Sequence, residues 1–276
     1  MKKTVFYVLA VVLMMACSTP AQYLTILHTN DTHSQVEPDE DSDSGGYARR
    51  MGLIKQEREA DPELLLLDAG DFSQGTPYFN YYHGRVEIEA MNWMGYDAAT
   101  LGNHEFDNGL DTLAMVLKRA NFPIVCANYD VTGTPLEGLV KPYVILNKKD
   151  VKVGVFGMGC YPYSVIDTAN FSGIKYLDSY QVAQEMADTL RAQGCEVVIC
   201  LSHMGTLEHG KGEPCDSVMV TKTRGIDVVI GGHTHDLKVG KMVPNLDGDS
   251  IPLSQMKKAG YYMGKIMLYL DDKNEK

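Results

Sequence analysis

Three things are scarce in this chain, and each scarcity removes a class of protein. The long apolar run, Val5 to Met15, is too short for a membrane-spanning helix, which needs roughly 20 apolar residues. Positive charge is in deficit: 25 Lys and Arg face 36 Asp and Glu, and the formal net charge of -11 repels nucleic-acid backbones, which argues against a nucleic-acid polymer as partner. The six cysteines contain no Cys-x-x-Cys spacing, so a closed thiolate-bound zinc site has no obvious ligand set. Internal repeats and long linkers are missing as well. What remains, 45% apolar and 22% charged, reads as one soluble domain starting near Tyr23 and extending to Lys276, long enough to bury a large core.

The amino-terminal residues read as an export signal. Lys2 and Lys3 precede the run from Val5 to Met15, and Ala16-Cys17-Ser18 follows it: a charged region, an apolar region and a small residue at the cut. Leu13-Met14-Met15-Ala16-Cys17 resembles a bacterial lipobox, in which Cys17 becomes the lipidated first residue, and ordinary secretion with cleavage nearer Ala21 is the alternative. Either way residues 1–17 are a signal peptide, and the mature protein is expected outside the cytoplasm, in the periplasm or on the outer membrane, touching a membrane only through its lipid. Loss of Lys2 and Lys3 would take the charge from -11 to -13. Of the later cysteines, Cys126 and Cys200 read as buried small hydrophobes; Cys160, Cys195 and Cys215 complete an odd number, so at least one thiol is unpaired.

Apolar runs mark buried strands at Tyr23 to His28, Leu64 to Asp68, Ala98 to Leu101, Val197 to Ser202 and Asp227 to Ile230. Helical spacing appears over Gly45 to Glu59, Arg85 to Trp93, Gly109 to Ala120 and Ser179 to Gln193, the last stopped by Gly194. After His235 the period becomes two. Lys238 to Val243, Ile251 to Gln255 and Tyr261 to Leu270 predict an antiparallel meander around the turn Asn245 to Gly248. Two sheets face to face, with helices outside, satisfy this order.

Each of the five apolar runs is followed by residues that ligate metals: Asp31-Thr32-His33, Gly70-Asp71, Gly102-Asn103-His104-Glu105, His203, and Gly232-His233-Thr234-His235. Strands of an α/β sheet bring such segments to one edge, where ligands bind beyond their carboxyl ends. Asp31 with His33, and His233 with His235, alternate across one residue, which on a strand sends both side chains to one face. Gly70 permits a tight turn that thrusts Asp71 out as a bridging carboxylate. A single Asp-x-His is more often a surface turn; five segments together form a ligand set for two metals. Gly231-Gly232 lets the backbone approach them. Asp, Asn and His suit zinc, manganese, iron or cobalt, which the residues do not distinguish. Two such ions clamp phosphoryl oxygens and lower the pKa of a shared water, making a bridging hydroxide available for in-line attack.

The order Asp-x-His, Gly-Asp, Gly-Asn-His-Glu, His, Gly-His-x-His resembles that of the calcineurin-like metallophosphoesterases. Thr29-Asn30-Asp31-Thr32-His33 and Gly102-Asn103-His104-Glu105-Phe106-Asp107 are further similar to the amino-terminal catalytic domain of bacterial 5′-nucleotidases and UDP-sugar hydrolases, over about Leu24 to Leu270. The resemblance implies an α/β fold, a four-layer α/β/β/α sandwich with mixed sheets. It implies one metal held by Asp31, His33, Asp71 and His235, and a second by Asp71, Asn103, His203 and His233. His235 stands where that group often has Gln, which leaves metal preference open. Asn103 and His104 would contact substrate, His104 acting at the transferring phosphoryl group or leaving oxygen with Asp107 fixing its orientation. Most consistent is hydrolysis of 5′-nucleotides or related phosphate esters; cyclic-nucleotide, sugar-nucleotide and thiosulfate-ester hydrolysis stay open. A non-catalytic, metal- or ligand-binding lipoprotein that keeps the fold is the other class, and retention of His104 and Asp107 argues against it. Full-length members carry a carboxy-terminal nucleoside-binding domain that is not found here, so a separate polypeptide of that type is an expected partner.

Several conspicuous residues have plainer readings. His28 is expected in the core or behind the metals. Tyr78, Phe79, Tyr81, Tyr82 and Trp93 read as packing beside a helix, with base stacking as the alternative. His83 and His209 are loop residues, Glu37 to Asp43 a solvated acidic loop with calcium binding as the lesser reading, and Gly205 to Gly212 a mobile rim.

Overall fold

A computed structural model of the chain describes residues 22–207 and 212–270. The leader, Cys17, His209 and half of the rim read over Gly205 to Gly212, residues 208–211, lie outside those residues. In chain order the first half comprises β1 (Gln22–Thr29), α1 (Tyr47–Ala60), β2 (Leu65–Asp68), α2 (Pro77–Tyr82), α3 (Arg85–Met94), β3 (Ala98–Thr100), α4 (Gly109–Leu117), β4 (Ile124–Val125), β5 (Tyr129–Asp130), β6 (Val140–Lys141) and β7 (Tyr143–Lys148). Then come β8 (Val151–Met158), β9 (Lys175–Tyr176), α5 (Ser179–Ala192), β10 (Val197–Ser202), α6 (Asp216–Lys222), β11 (Val228–Ile230), β12 (Leu237–Pro244), β13 (Ser250–Met256) and β14 (Gly264–Leu270). No helix among the described residues is long and apolar enough to cross a membrane.

Two six-stranded sheets carry the fold, ordered β14-β1-β2-β3-β4-β6 and β12-β13-β11-β10-β8-β7. Strands β1, β2, β3, β4 and β6 run parallel in the first, β8, β10, β11 and β13 in the second. Between the sheets the side chains of one face interdigitate: Leu24, Ile26, Leu65 and Leu67 from the first meet Val153, Val155, Val197, Ile199 and Ile230 from the second. The outer face of the first sheet buries Leu27, Leu66 and Ala99 with Ile54 of α1, Ile88 of α3 and Leu113 of α4. That of the second buries Phe156, Val198 and Val229 with Val182 and Leu190 of α5 and Met219 of α6. Strands buried on both faces read as continuous apolar runs, which is why β1, β2, β10 and β11 stand out in the sequence. The result is the α/β/β/α sandwich, with mixed sheets. Helix α5 starts where the Asp178 carboxylate accepts the N–H groups of Tyr180 and Gln181, and it ends before Gly194 at φ 82°.

Two expectations are corrected. The meander after His235 is broken: β12 and β13 pair antiparallel around the Asn245 to Gly248 turn, but β13 lies parallel to β11, and β14 crosses to the other sheet and pairs antiparallel with β1. Alternation identifies a half-buried strand and says nothing of its partner. The apolar pattern also misses the strands between Leu101 and Val197, most importantly β8, in the middle of the second sheet. Its glycines weaken a strand signal, yet the sheet contact requires one of them, because a Cβ on Gly157 would lie 1.9 Å from the Val125 carbonyl oxygen.

Among the aromatic residues, Phe79 alone is buried as expected. Tyr81, Tyr82 and Trp93 are exposed, Trp93 by 80%, so the packing reading fails for them. The acidic loop is solvent-exposed over Glu40 to Asp43. All five described cysteines are buried and free.

Candidate metal centre

Both sheets deliver their carboxyl ends to the same edge. Past Thr29 and Asp68 of the first sheet the chain turns through Asp31, His33 and Asp71; past Ser202 and Ile230 of the second it turns through His203, His233 and His235. The expected strand alternation does not produce this convergence. Asp31, His33, Ser34, Asp71, His233 and His235 all have positive φ, between 45° and 72°, so tight left-handed turns beyond the strand ends aim the side chains. Strand propensity could not reveal that. The two sheets touch here: His203 Nδ1 lies 2.6 Å from the Ala69 carbonyl oxygen, a contact that a Cβ on Gly232 would obstruct at 2.7 Å.

Three overlapping groups of ligand atoms result, Asp31 with His33 and His235, His33 with Asp71 and His104, and Asp71 with His203 and His233, the atoms of each lying within 4.8 Å of one another. His33 Nε2 and His235 Nε2 are 3.0 Å apart. His235 Nε2 is 3.3 Å from Asp31 Oδ1, and His203 Nε2 is 3.0 Å from Asp71 Oδ2 and 3.8 Å from Asp31 Oδ1. His33 belongs to the first and second groups and Asp71 to the second and third, so these two residues link all three. Asn103 is 6% exposed, and its Oδ1 makes no hydrogen bond among the described residues.

Charge in this edge is strongly coupled. Burial alone would raise the Asp71 pKa, but the imidazoles of His203, His104 and His33 hold it well below the usual carboxylate range. Burial opposes the charge on His203; the Asp71 carboxylate outweighs it and pushes that pKa up to about 10. Burial, aided by His235 and His104, lowers His33, keeping its ring in the neutral form that ligates metals. At the mouth, His104 Nδ1 lies 2.9 Å from Asp107 Oδ2, with side chains 32% and 38% exposed. Burial again opposes, but this bond and the Asp71 charge raise the His104 pKa.

The residues fit a pair of cations. An unbonded buried amide oxygen on Asn103 and a His203 Nε2 with no well-aligned partner, beside two ring nitrogens at 3.0 Å, are electron-pair donors that cations would satisfy together. With its Nδ1 against the Ala69 carbonyl, His203 presents Nε2 to that space.

Polar residues that sequence reasoning left without a role complete the edge. Asn30 Nδ2 donates to Asp31 Oδ2 at 2.6 Å and to the Lys257 carbonyl at 2.7 Å, while its Oδ1 accepts the Met256 N–H at 2.8 Å. Asp68 accepts from Thr29 Oγ1 and the Gly70 N–H, and Glu105 lies inside, 4% exposed. Their adjacency to ligands was the available signal. His28 is in the core as read, its Nε2 2.9 Å from Ser254 Oγ on the opposite sheet.

Fold and geometry together define a two-sheet domain with a candidate metal centre at the edge the sheets share. The calcineurin-like phosphoesterase profile matches residues 24–237, and the chain belongs to that family. It is 38% identical to a snake venom 5′-nucleotidase of Gloydius brevicauda over 280 residues, 91% of this chain and 46% of that protein. A 5′-nucleotidase precursor from Thermus thermophilus superposes with a TM-score of 0.80 at 32% identity, covering 91% of this chain and 52% of that one. The calcineurin-like phosphoesterase YfkN from Bacillus subtilis gives 0.77 at 32%, covering 92% and 87%. The chain spans about half the length of the curated relatives it matches.

Proposed function

We propose that this chain hydrolyses phosphate esters, 5′-nucleotides foremost, with two divalent cations as cofactors. The observation that carries the reading is the sharing of Asp71 and His33 among three ligand groups, beside the His104–Asp107 pair. One cation would be held by Asp31, His33, Asp71 and His235, the other by Asp71, Asn103, His203 and His233. Bound there, such ions withdraw charge from phosphoryl oxygens and acidify a shared water.

The chain's own residues do the rest. Asp107 accepts the Nδ1 proton of His104, so the charged ring carries a second proton on Nε2 and presents it at the mouth, where a phosphoryl or leaving oxygen arrives. The raised pKa favours that protonated form. Asn103, one residue earlier, brings its amide to the same phosphoryl group. Burial of Asp31, Asp71 and His203 excludes water from behind the ligands.

The test uses purified protein with and without added Mn²⁺ or Zn²⁺, on an activated aryl phosphate and a panel of 5′-nucleotides, cyclic nucleotides and sugar nucleotides. Metal-dependent turnover of 5′-nucleotides is expected. The groups identified at the edge all address the phosphoryl end, so kcat/KM should vary little with the base. Two bound ions without turnover of any phosphate ester would favour a binding protein instead.

A further inference from the structure

Glu105 belongs to none of the ligand groups, yet its buried carboxylate is bonded to the backbone of the loops that carry them. Its Oε2 accepts the N–H of Asp71 at 2.9 Å and that of Gly102 at 2.6 Å, and its Oε1 accepts the N–H of Ser73 at 3.0 Å. One side chain therefore ties the loop after β2 to the loop after β3. A fourth bond closes the arrangement, since the His104 N–H donates to Asp71 Oδ1 at 2.8 Å. The fit leaves no slack: a Cβ on Gly102 would lie 2.2 Å from Asp71 Oδ1. Asp71 is itself at φ 54°, a conformation that its surroundings must hold.

We propose that Glu105 is a positioning residue that fixes the Asp71 carboxylate and the Gly102–Asn103 backbone relative to each other, and so sets the affinity of both cations, most strongly that of the one facing His203 and His233, which takes Asn103 as well as Asp71. The proposal rests on the two-cation reading above. The other cation has a different support, because Asp31 is oriented by Asn30 and the His233 N–H, at 2.6 Å and at 3.0 and 3.1 Å, rather than by Glu105.

Glu105→Gln preserves shape and removes acceptors. If the amide oxygen takes the Oε2 place, the NH₂ faces the Ser73 N–H, donor against donor; reversed, two N–H groups lose their acceptor. Metal binding by calorimetry and elemental analysis should then show the cation facing His203 and His233 weakened by about 10- to 100-fold and the other, which shares only Asp71, weakened less. Turnover of an aryl phosphate should fall at limiting metal and recover with excess Mn²⁺, with KM changed less than about twofold. Glu105→Gln should weaken the remaining cation more in a His235→Ala background than in a His203→Ala background. A merely structural role would weaken both cations alike, lower the unfolding midpoint of the metal-free protein and give no recovery with Mn²⁺, which would overturn the proposal. So would a Glu105→Gln protein that binds both cations as tightly as the parent. A parent that binds fewer than two cations would instead sink the two-cation reading on which it depends.

Discussion

Asp71 shares one group with His33 and His104 and another with His203 and His233, whereas His104 belongs to a single group, so the two residues should fail differently. Asp71→Asn removes a charge that His203, His104 and His33 all face. Metal content and turnover should fall together, and a variant with two ions per chain and turnover within about twofold of the parent would contradict the bridging assignment. His104→Ala should keep most of the metal and lose about 10²-fold or more in kcat, with Asp107→Asn moving the same way. Full metal loss from His104→Ala, by elemental analysis, would make it a ligand. The ligand side chains were legible in the sequence because metals demand particular residue types in a particular order. Asn30 and Glu105 were visible only as neighbours of ligands, since a carboxylate that accepts backbone N–H groups leaves no spacing pattern.

Elements were legible in proportion to how continuously apolar they are. β1, β2, β10 and β11 are buried on both faces and announce themselves; β8, crossed by Gly154 and Gly157, does not, and β14 was recognisable as a strand while its sheet was not. The glycines give a test of that account. Gly157→Ala must push the Val125 carbonyl away and pry the sheets apart, costing about 1–3 kcal/mol or more. Gly154→Ala meets only the flexible tip of Leu190 at 2.8 Å and should cost less, as denaturant midpoints would show. A second test lies on the same inter-sheet contact. Burial lowers the His28 pKa to about 4 from an ordinary 6.5. Between those values the unfolded chain binds the proton and the folded chain does not, so stability rises with pH across this window. Acidification from pH 6.5 to 4 should therefore remove about 3 kcal/mol through His28 alone. Burial raises the Asp68 carboxyl pKa, which acts in the opposite direction, so the measurement is the difference between parent and His28→Gln in urea. That difference should shrink toward pH 4; a flat difference would refute the assignment.

At the scale of the whole molecule, the pattern of Lys2, Lys3 and the apolar run from Val5 to Met15 is the ground on which we propose export from the cytoplasm. We propose that Cys17 carries the lipid that holds it there, each buried CH₂ contributing about 0.8 kcal/mol. Cys17→Ser should shift the protein from the membrane to the soluble fraction, and a parent found wholly soluble would rule the anchor out.

The left-handed residues of the ligand loops have a consequence for the protein's thermal history. Asp31, His33, Asp71, His233 and His235 occupy a backbone region that costs a non-glycine residue about 1–2 kcal/mol each. Selection for metal chemistry has thus been selection against durability at five positions. Glycine at His235, which is 36% exposed at its side chain and gives up little packing, should raise the melting temperature of the metal-free protein while removing a ligand.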